Sequence, residues 1–262
     1  MVSAPDCEHL SFCLRQSDGG GVLDLTAGTA RICLRDLGDM RIICDFDGTI
    51  TLSDTTDAVL EASAPDAWRE LEDDWVAGRI SAAACMRGQI ALVGGSKAAL
   101  DRVLDRVELD PGFSDFVTWC ARHGIPVSIV SDGVDYFIQR ILARHNLAHL
   151  PVIANQLAGV AGARALNHPW SRAGCAGGSG VCKCEAIRLD APSVRTVYVG
   201  DGRSDFCVSG RVDVLFAKGA LAEYAEARSQ PFTPFDTFDD VTRALAVRIV
   251  EADPSTVRAA AI

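Results

Sequence analysis

The sequence lacks any long hydrophobic run. Although 48% of its 262 residues are hydrophobic, no apolar stretch approaches the roughly 20 residues that span a bilayer. Its first ten residues, MVSAPDCEHL, have neither the basic region nor the apolar region of a secretory signal. We therefore expect a cytoplasmic protein without a membrane partner.

Clusters of positive charge are also missing. The chain has 25 Lys and Arg residues against 35 Asp and Glu residues, which gives a net charge of −10. Proteins that bind nucleic acids gather basic side chains to neutralise phosphates, so we expect no nucleic acid partner. Part of the acidity can instead be carboxylates that surround a cation.

Several nucleotide-binding and nucleophile motifs are absent. No GxxxxGK[ST] segment occurs, which disfavours an ATP-driven kinase, and GDGRSD lacks the last glycine of a dinucleotide fingerprint. The five histidines are scattered, and no serine–histidine triad is evident.

The ten cysteines occur without a secretory signal, which predicts reduced thiols. Five lie in apolar or small-residue stretches and are interpreted as buried small side chains: Cys33, Cys44, Cys85, Cys120 and Cys207. Three more lie in GCAGGSGVCKC and could bind zinc together with His168: Cys175, Cys182 and Cys184. Their spacing is not the paired CxxC type, so packing is the favoured interpretation.

What the sequence does have is an alternation of strand-like and helical segments. Short apolar runs end in polar residues in RIIC, IPVSIVSDG, TVYVGDGRSD and VDVLFAK, and helical patterns separate them. VIANQL and ARALNH look like the strands of a hairpin. This alternation predicts an α/β fold with a Rossmann-like, doubly wound parallel sheet.

One long segment interrupts the alternation. Residues 54–108 read as several short helices, with Ser96 as an N-cap, and they predict a helical cap inserted after the first strand. The core would then comprise residues 40–53 and 109–250. Residues 1–39 lack periodicity and are expected to be a weakly ordered extension.

Polar motifs follow the predicted strands. They are DFDGT at 45–49, SDG at 131–133 and GDGRSD at 200–205, while Lys183 opens a helix after a glycine-rich loop. Ligands of such sheets lie beyond the carboxyl ends of the strands, so one crevice can gather these motifs.

In this order the motifs resemble the haloacid dehalogenase superfamily, in its phosphatase branch, over about residues 40–245. Within it, the chain is similar to the phosphoserine-phosphatase-like group and to the methionine-salvage phosphatases of 2-hydroxy-3-keto-5-methylthiopentenyl-1-phosphate. It also resembles the phosphocholine/phosphoethanolamine phosphatases. The resemblance rests on DFDGTIT followed by Asp54, on CKCEAI, on GDGRSDFC and on the tail QPFTPFDTFDDV.

The resemblance implies a role for each acid. Asp45 would be the nucleophile that forms an aspartyl-phosphate, and Asp47, two residues on and so on the same face, would be the general acid and base. Mg²⁺ would be held by Asp45, Asp201 and the main-chain carbonyl of Asp47, and would reduce the repulsion between anions. Asp205 would position Lys183 or a metal-bound water from behind.

The phosphoryl oxygens would be held by Lys183 and the Ser131 hydroxyl, with backbone N–H groups of Asp47 and Gly133. Asp132 departs from the Gly or Asn of many relatives, and its side chain is expected to face away from the phosphate. If the Asp132 side chain faces inward instead, it could bind a cationic group of the substrate. Arg203 and Ser204 are interpreted as turn residues only.

The cap would supply the substrate contacts. Asp54 lies where the chain enters the cap and would face the substrate. Candidates for reading the substrate are Trp75, Arg79, Arg87 and Gln89, of which Arg87 would suit an extra anionic group. A lid over the crevice predicts a small phosphate ester as the partner.

These observations predict a Mg²⁺-dependent phosphomonoesterase acting on a small phosphorylated metabolite of the methionine-salvage type. Phosphoserine and phosphocholine or phosphoethanolamine remain alternative substrates, and transfer to an acceptor alcohol remains an alternative reaction. A dehalogenase is disfavoured because Asp47 supplies acid chemistry that it does not need. A binding protein is disfavoured because Asp45, Asp47, Lys183 and Asp201 are all present. The oligomeric state is left open.

Overall fold

The structure, a computed structural model, describes residues 40–175, 177–187 and 194–250, without the side chains of 248–250. The predicted extension over residues 1–39 lies outside this part. The strands are β1 Met40–Cys44, β2 Val127–Val134, β3 Val152–Val160, β4 Ala163–Asn167, β5 Arg195–Gly200, β6 Val214–Ala217 and β7 Thr233–Pro234.

The described helices surround this sheet, and none of them is long and apolar enough to cross a membrane. They are α1 Thr55–Ser63, α2 Trp68–Val76, α3 Ala82–Leu92, α4 Lys97–Leu104, α5 Phe113–Arg122, α6 Asp135–Arg144, α7 Lys183–Ala186, α8 Phe206–Ser209, α9 Gly219–Ala227 and α10 Phe238–Val250. A 3₁₀ turn, Arg203–Asp205, precedes α8.

The seven strands form one sheet in the order β4-β3-β2-β1-β5-β6-β7. All neighbours pair in parallel except β3 and β4, which form an antiparallel hairpin. The predicted fold class is confirmed. β2 lies next to β1, and β3 lies beyond β2. The later strand β5 pairs with the opposite edge of β1. Such a reversal opens a crevice between the carboxyl ends of the two strands.

The sheet is buried on both faces because successive side chains of a strand point to opposite sides. In β1, Ile42 and Cys44 belong to the larger hydrophobic cluster and Ile43 to the smaller one. In β5, Val197 and Val199 lie on the first side and Tyr198 on the second. The strand ends that carry the polar motifs are therefore held in a rigid core.

The second motif differs from its prediction. Ser131 was expected to follow a strand, but β2 continues to Val134, and its register with β3 shifts between Val130 and Val134. The Gly133 N–H donates to Ser131 Oγ at 2.9 Å inside this irregular stretch. A local side-chain bond to the backbone thus accompanies the break in the regular ladder.

Four helices, α1 to α4, lie in the segment predicted to be the cap. The chain enters and leaves this segment through a short antiparallel contact: Leu52 N donates to Glu108 O at 3.0 Å, and Asp110 N donates to Ile50 O at 2.8 Å. Ser96 caps α4 as predicted, since its Oγ accepts from Ala99 N at 3.2 Å.

Candidate active site

Asp45 and Asp47 lie in the turn that follows β1. Asp45 N donates to Val199 O of β5 at 2.9 Å, so the first acid is fixed by the sheet itself. Gly48 has φ +73°, and a Cβ there would lie 2.5 Å from Asp201 Oδ2. Glycine therefore serves both the left-handed backbone and the close approach of Asp201.

Lys183 is fully buried at the start of α7 and contacts three acceptors. Its Nζ lies 2.8 Å from Asp45 Oδ1, 2.6 Å from Asp205 Oδ1 and 2.9 Å from Ser204 Oγ. Burial lowers the pKa of Lys183, but the Asp205 and Asp45 carboxylates more than offset this and raise the pKa above its ordinary value. All three ammonium protons are engaged, so the structure places Lys183 as the charge partner of Asp45.

Asp205 positions that lysine. Its Oδ1 also accepts from the Tyr198 hydroxyl at 2.5 Å, and its Oδ2 accepts from Asp201 N at 3.0 Å and Gly202 N at 3.1 Å. Because both oxygens are occupied by donors, Asp205 holds Lys183 and the turn after β5. The role in the reaction that the resemblance implies for Asp205 stays a prediction.

A group of carboxylates able to hold a cation lies beside the lysine. Oxygens of Asp45, Asp201 and Asp205 lie within 4.8 Å of one another, and the Thr49 hydroxyl donates to Asp201 Oδ1. Burial and the nearby Asp205 raise the pKa of Asp45 well above its usual range, although Lys183 opposes this, and burial raises the pKa of Asp201. Buried carboxylate oxygens with more negative than positive charge fit a hard divalent cation such as Mg²⁺.

Asp47 has different surroundings. Its Oδ1 accepts from Thr55 N at 2.9 Å and from the Thr55 hydroxyl at 2.5 Å. Burial, followed by the charge of Asp54, raises the pKa of Asp47 to about 7. A carboxyl with this pKa can be protonated and deprotonated near neutral pH, as a general acid and base requires.

Asp54 begins the helical segment, as the sequence suggested. Its Oδ1 caps α1 by accepting from Thr56 N at 2.8 Å and Asp57 N at 3.0 Å. Asp54 is accessible to solvent, but partial desolvation by the surrounding walls, followed by the charge of Asp57, raises the pKa of Asp54 to about 6. Asp54 also lines the cavity, so one residue both starts the helix and faces the site.

Ser131 faces Asp47 across the crevice. A Cβ on Gly133 would lie 2.5 Å from Asp47 Oδ2 and 3.0 Å from Ser131 Oγ, so only glycine leaves room for this pair. Because the Gly133 N–H donates to Ser131 Oγ, the serine hydroxyl keeps its own proton for a ligand. The Gly133 N–H, which is predicted to bind a phosphoryl oxygen, therefore donates instead to a hydroxyl of the protein itself.

Asp132 belongs to a buried polar network. Its Oδ1 accepts from Val181 N at 2.9 Å and from Asn155 Nδ2 at 3.1 Å. His168 Nδ1 lies 2.7 Å from Asn155 Oδ1, and His168 Nε2 lies 3.1 Å from Ala83 O in α3. Both His168 nitrogens are engaged here, so His168 is not available as the fourth ligand of the zinc site that the sequence left as the less favoured alternative.

A cavity of about 520 Å³ lies over these residues. Seven of its lining residues are acids: Asp45, Asp47, Asp54, Asp57, Glu72, Asp132 and Asp201. The rest of its wall includes Trp75, Cys85, Met86, Gln89, Arg203, Phe206, Cys207 and Tyr224. Lys183 is not among the lining residues, because its ammonium group is covered by the contacts described above.

Two of the cap candidates do not reach the cavity. Arg87 is exposed, and Arg79 pairs with Asp74 at 2.6 Å on the surface. On α3 the cavity is lined by Ala82, Cys85, Met86 and Gln89, which follow helical spacing, whereas position 87 lies on another face. Helical periodicity could have separated Gln89 from Arg87, because residues two apart do not share a face.

Several residues at the site carry contacts that were not predicted from the sequence. Arg203 lines the cavity with its guanidinium 5.6 Å from the Trp75 ring, and Ser204 accepts from Lys183, so neither is a turn residue only. Thr56 lines the cavity with a buried hydroxyl that has no hydrogen-bond partner within the described part of the chain. Hydroxyl residues are common in every loop, and no sequence signal separates these.

Comparison with known proteins identifies the family of this chain. The family model of the haloacid dehalogenase-like hydrolases matches residues 42–209 of this sequence. The 2-hydroxy-3-keto-5-methylthiopentenyl-1-phosphate phosphatases of Brevibacillus brevis and Geobacillus kaustophilus are each 32% identical, and each match covers 78% of this chain and 94% of the relative.

Solved structures share the fold. A phospho-aspartyl intermediate analogue of phosphoserine phosphatase has a TM-score of 0.60 at 17% identity, covering 79% of this chain and 98% of that one. A HAD family hydrolase from Salmonella enterica serovar Typhi has a TM-score of 0.62 at 19% identity, covering 82% and 72%. The predicted family and the enzyme class of a phosphatase are confirmed. With its acids at the ends of β1 and β5 and a family match across most of the described core, the chain belongs to the haloacid dehalogenase-like hydrolases.

Proposed function

We propose that this phosphatase is a Mg²⁺-dependent phosphomonoesterase that hydrolyses a small ester through an aspartyl-phosphate on Asp45. The observation that carries the proposal is the pair of acids at the end of β1. Asp45 is ion-paired to Lys183 at 2.8 Å, whereas Asp47 has a pKa of about 7 and faces the same cavity. Burial raises the pKa of both acids, but Asp45 has the Lys183 ammonium and a proposed cation beside it to keep it ionised, whereas Asp47 has neither and can carry the proton.

Asp45 and Asp201 would hold the Mg²⁺, since Asp205 is occupied by four donors. The carbonyl of Asp47 is the third ligand proposed from the family resemblance. When bound, the cation would reduce the repulsion between the anionic nucleophile and the phosphate.

The residues of the chain account for each bond change. Asp45 Oδ1 accepts from Phe46 N at 2.7 Å and pairs with Lys183, which leaves Oδ2 to attack phosphorus. As the Oδ2–P bond forms and the ester P–O bond breaks, Asp47 donates its proton to the leaving oxygen. Asp47 then takes a proton from water as that water attacks phosphorus, and release of Asp45 yields inorganic phosphate.

Residues 54–108 would be the cap that closes the site. The contact of Arg203 with Trp75 links the turn after β5 to α2, and His168 links the Asp132 network to α3. These contacts would keep water from the aspartyl-phosphate while the cavity holds a small ester.

The wall of the cavity favours an ester without a second negative charge. Seven lining residues are acids, and Arg203 is the one lining Lys or Arg among the described residues. The ester named for the relatives in Brevibacillus and Geobacillus carries one phosphate and a methylthio group. The side chains of Trp75, Met86 and Phe206 offer a methylthio group an apolar surface. We therefore propose a methionine-salvage phosphate ester as the substrate.

One observation favours a second candidate. Asp57 and Glu72 both line the cavity, and burial followed by the charge of Glu72 raises the pKa of Asp57. A cationic group would relieve this repulsion, so phosphoethanolamine or phosphocholine is the alternative. Phosphoserine fits less well, because the lining acids would face its carboxylate.

The test is a panel of phosphate esters ranked by kcat/KM, with Mg²⁺ and with a chelator. We expect Mg²⁺-dependent turnover in which the methylthio ester exceeds phosphoserine by at least about tenfold, which corresponds to about 1.4 kcal/mol. Asp45→Asn should abolish turnover, while the exposed Asp73→Asn should keep it. Turnover that survives both the chelator and Asp45→Asn would refute the proposed mechanism. A preference for phosphoethanolamine would select the alternative substrate.

A further inference from the structure

Three cysteine sulfurs converge beside the catalytic cavity, and a fourth adjoins one of them. The Sγ atoms of Cys175, Cys184 and Cys207 lie within 4.8 Å of one another, and Cys182 Sγ lies 3.3 Å from Cys184 Sγ. We propose that these four cysteines bind Zn²⁺ as a structural site. Cys207, predicted from its small-residue surroundings to be a buried thiol, is half-buried in this cluster.

The separations suit a tetrahedral thiolate site. With Zn–S bonds of about 2.3 Å, tetrahedral geometry places the sulfurs about 3.8 Å apart. The three sulfurs of Cys175, Cys184 and Cys207 lie within 4.8 Å of one another, so small movements would bring them to this separation. Cys182 adjoins Cys184 at 3.3 Å but lies outside that group, so its side chain would turn toward the other two sulfurs to complete the site. None of the four thiols forms a disulfide with another described cysteine, which leaves them available as ligands. Binding would release their protons to solvent.

The cluster joins three segments that lie outside the sheet. Cys175 lies in the glycine-rich loop after β4, Cys182 and Cys184 flank the start of α7, and Cys207 lies in α8. The loop contains Gly174 and Gly178 with φ of +82° and +58°, and it belongs to no described helix or strand. A closed metal site is an established means of ordering such irregular chain.

The position of the cluster links it to the catalytic ion pair. Lys183 lies between two of the proposed ligands, and Asp205 lies two residues before Cys207. A cation bound by the thiols would fix α7 against α8 and so hold the 2.6 Å contact between Lys183 and Asp205. Zinc would act here by positioning and would not touch the substrate.

The two proposed cation sites differ in chemistry. Thiolates select soft or borderline ions such as Zn²⁺, while carboxylate oxygens suit Mg²⁺. The thiol site is therefore expected to keep its zinc in an excess of Mg²⁺. Its occupancy can be measured without any substrate, so its test is separate from that of the proposed phosphatase mechanism.

The experiment measures metal in the full chain, purified without chelator and dialysed against Mg²⁺. We expect about one zinc ion per chain, and the Co²⁺-substituted protein should show the charge-transfer absorption of thiolate ligands. Cys175→Ser and Cys207→Ser should each lose the zinc and this absorption. Cys120→Ala, which removes a thiol from the core, and Asp201→Asn, which alters the carboxylate group, should retain both.

Three results would overturn the proposal. The first is wild-type chain without zinc and without thiolate absorption after Co²⁺ addition. The second is zinc that Asp201→Asn removes and Cys175→Ser retains, because the carboxylates would then be its ligands. The third is a disulfide among these cysteines in the freshly purified chain. The wild-type measurements decide the matter even if a cysteine variant fails to fold.

Discussion

Thr55 donates two hydrogen bonds to one oxygen of Asp47, from its backbone N at 2.9 Å and from its hydroxyl at 2.5 Å. Thr55 is the first residue of α1 and is fully buried. The general acid proposed for the core is therefore oriented by the first residue of the helical insert. These bonds lower the pKa of Asp47 against the stronger effect of burial.

We predict that Thr55→Val shifts the pH dependence of the enzyme. Valine keeps the shape and the backbone N–H but removes the hydroxyl donor, so ionised Asp47 loses one hydrogen bond. Such a bond to a charged group contributes about 1.5–3 kcal/mol, and one pKa unit corresponds to about 1.4 kcal/mol. The alkaline limb of the kcat/KM profile should move up by about one pH unit.

The control is Thr242→Val on α10, where the lost hydroxyl donates to Phe238 O at 2.8 Å. Its pH profile should match the wild type. An unchanged limb in Thr55→Val would show that the threonine hydroxyl does not act on the titrating acid.

We predict that Asp47→Asn affects substrates according to their leaving group. General acid catalysis typically contributes about 10²–10⁴ in rate. An alkyl phosphate should lose about 10³ in kcat/KM, whereas p-nitrophenyl phosphate should lose at most about tenfold, because nitrophenolate leaves without a proton. Equal losses for the two esters would contradict the assignment.

The same residue sets the direction of the pH dependence. Because Asp47 has a pKa of about 7 and must be protonated to act as an acid, kcat/KM for an alkyl phosphate should fall as the pH rises above about 7. The fall should be weak for p-nitrophenyl phosphate. In Asp47→Asn it should vanish for both esters, which parallel pH profiles can check.

We predict that Mg²⁺ stabilises the folded chain. Oxygens of Asp45, Asp201 and Asp205 lie close together, and burial raises the pKa of Asp201. A raised pKa means that ionised Asp201 costs stability, and this cost grows as the pH rises from the unfolded-state pKa to the folded-state pKa. A ligand at 100 times its Kd adds about 2.7 kcal/mol to the free energy of unfolding.

The measurement is the thermal midpoint with Mg²⁺ and with chelator at pH 7.5. Wild type and Asp73→Asn should gain with Mg²⁺, whereas Asp201→Asn should not, and its midpoint in chelator should equal or exceed that of the wild type. A full Mg²⁺ gain in Asp201→Asn would place the cation elsewhere.

The central parts of the site were predictable from sequence for a physical reason. Asp45 and Asp201 follow β1 and β5, and the neighbouring carboxyl ends of parallel strands meet at one edge. The contact of Lys183 with Asp205 was implied by the family resemblance instead, because Lys183 reaches this edge from the start of α7 and not from a strand. Strand order and motif order together leave these side chains little freedom to lie elsewhere.

The rest depended on details that a sequence does not contain. Thr55, Thr56 and Ser204 act through the orientation of single hydroxyl groups in turns. Arg87 was placed at the substrate by its charge alone, whereas the helical face that it occupies is exposed. Cys207 joins Cys175 only because α8 packs beside the loop after β4.

We predict that Gly133→Ala disables catalysis without unfolding the chain. A Cβ at Gly133 would lie 2.5 Å from Asp47 Oδ2 and 3.0 Å from Ser131 Oγ, so the acid or the serine must move. Its φ is not in the left-handed region, so the backbone can accept alanine, and the cost falls on these side chains. A displacement of about 1 Å at a reacting group can lower the rate about 10²-fold.

The matched control is Gly210→Ala, where the nearest atom to the new Cβ would be Gln230 Oε1 at 4.0 Å. This variant should retain wild-type kcat/KM. Gly133→Ala should lose about 10² in kcat/KM and still show the Mg²⁺-dependent gain in thermal midpoint, because Asp45 and Asp201 stay in place. If Gly133→Ala were fully active, the close packing of Asp47 and Ser131 around position 133 could not matter for the reaction. If it lost the Mg²⁺ gain as well, the substitution would disturb the carboxylate group, and the effect could not be assigned to Asp47.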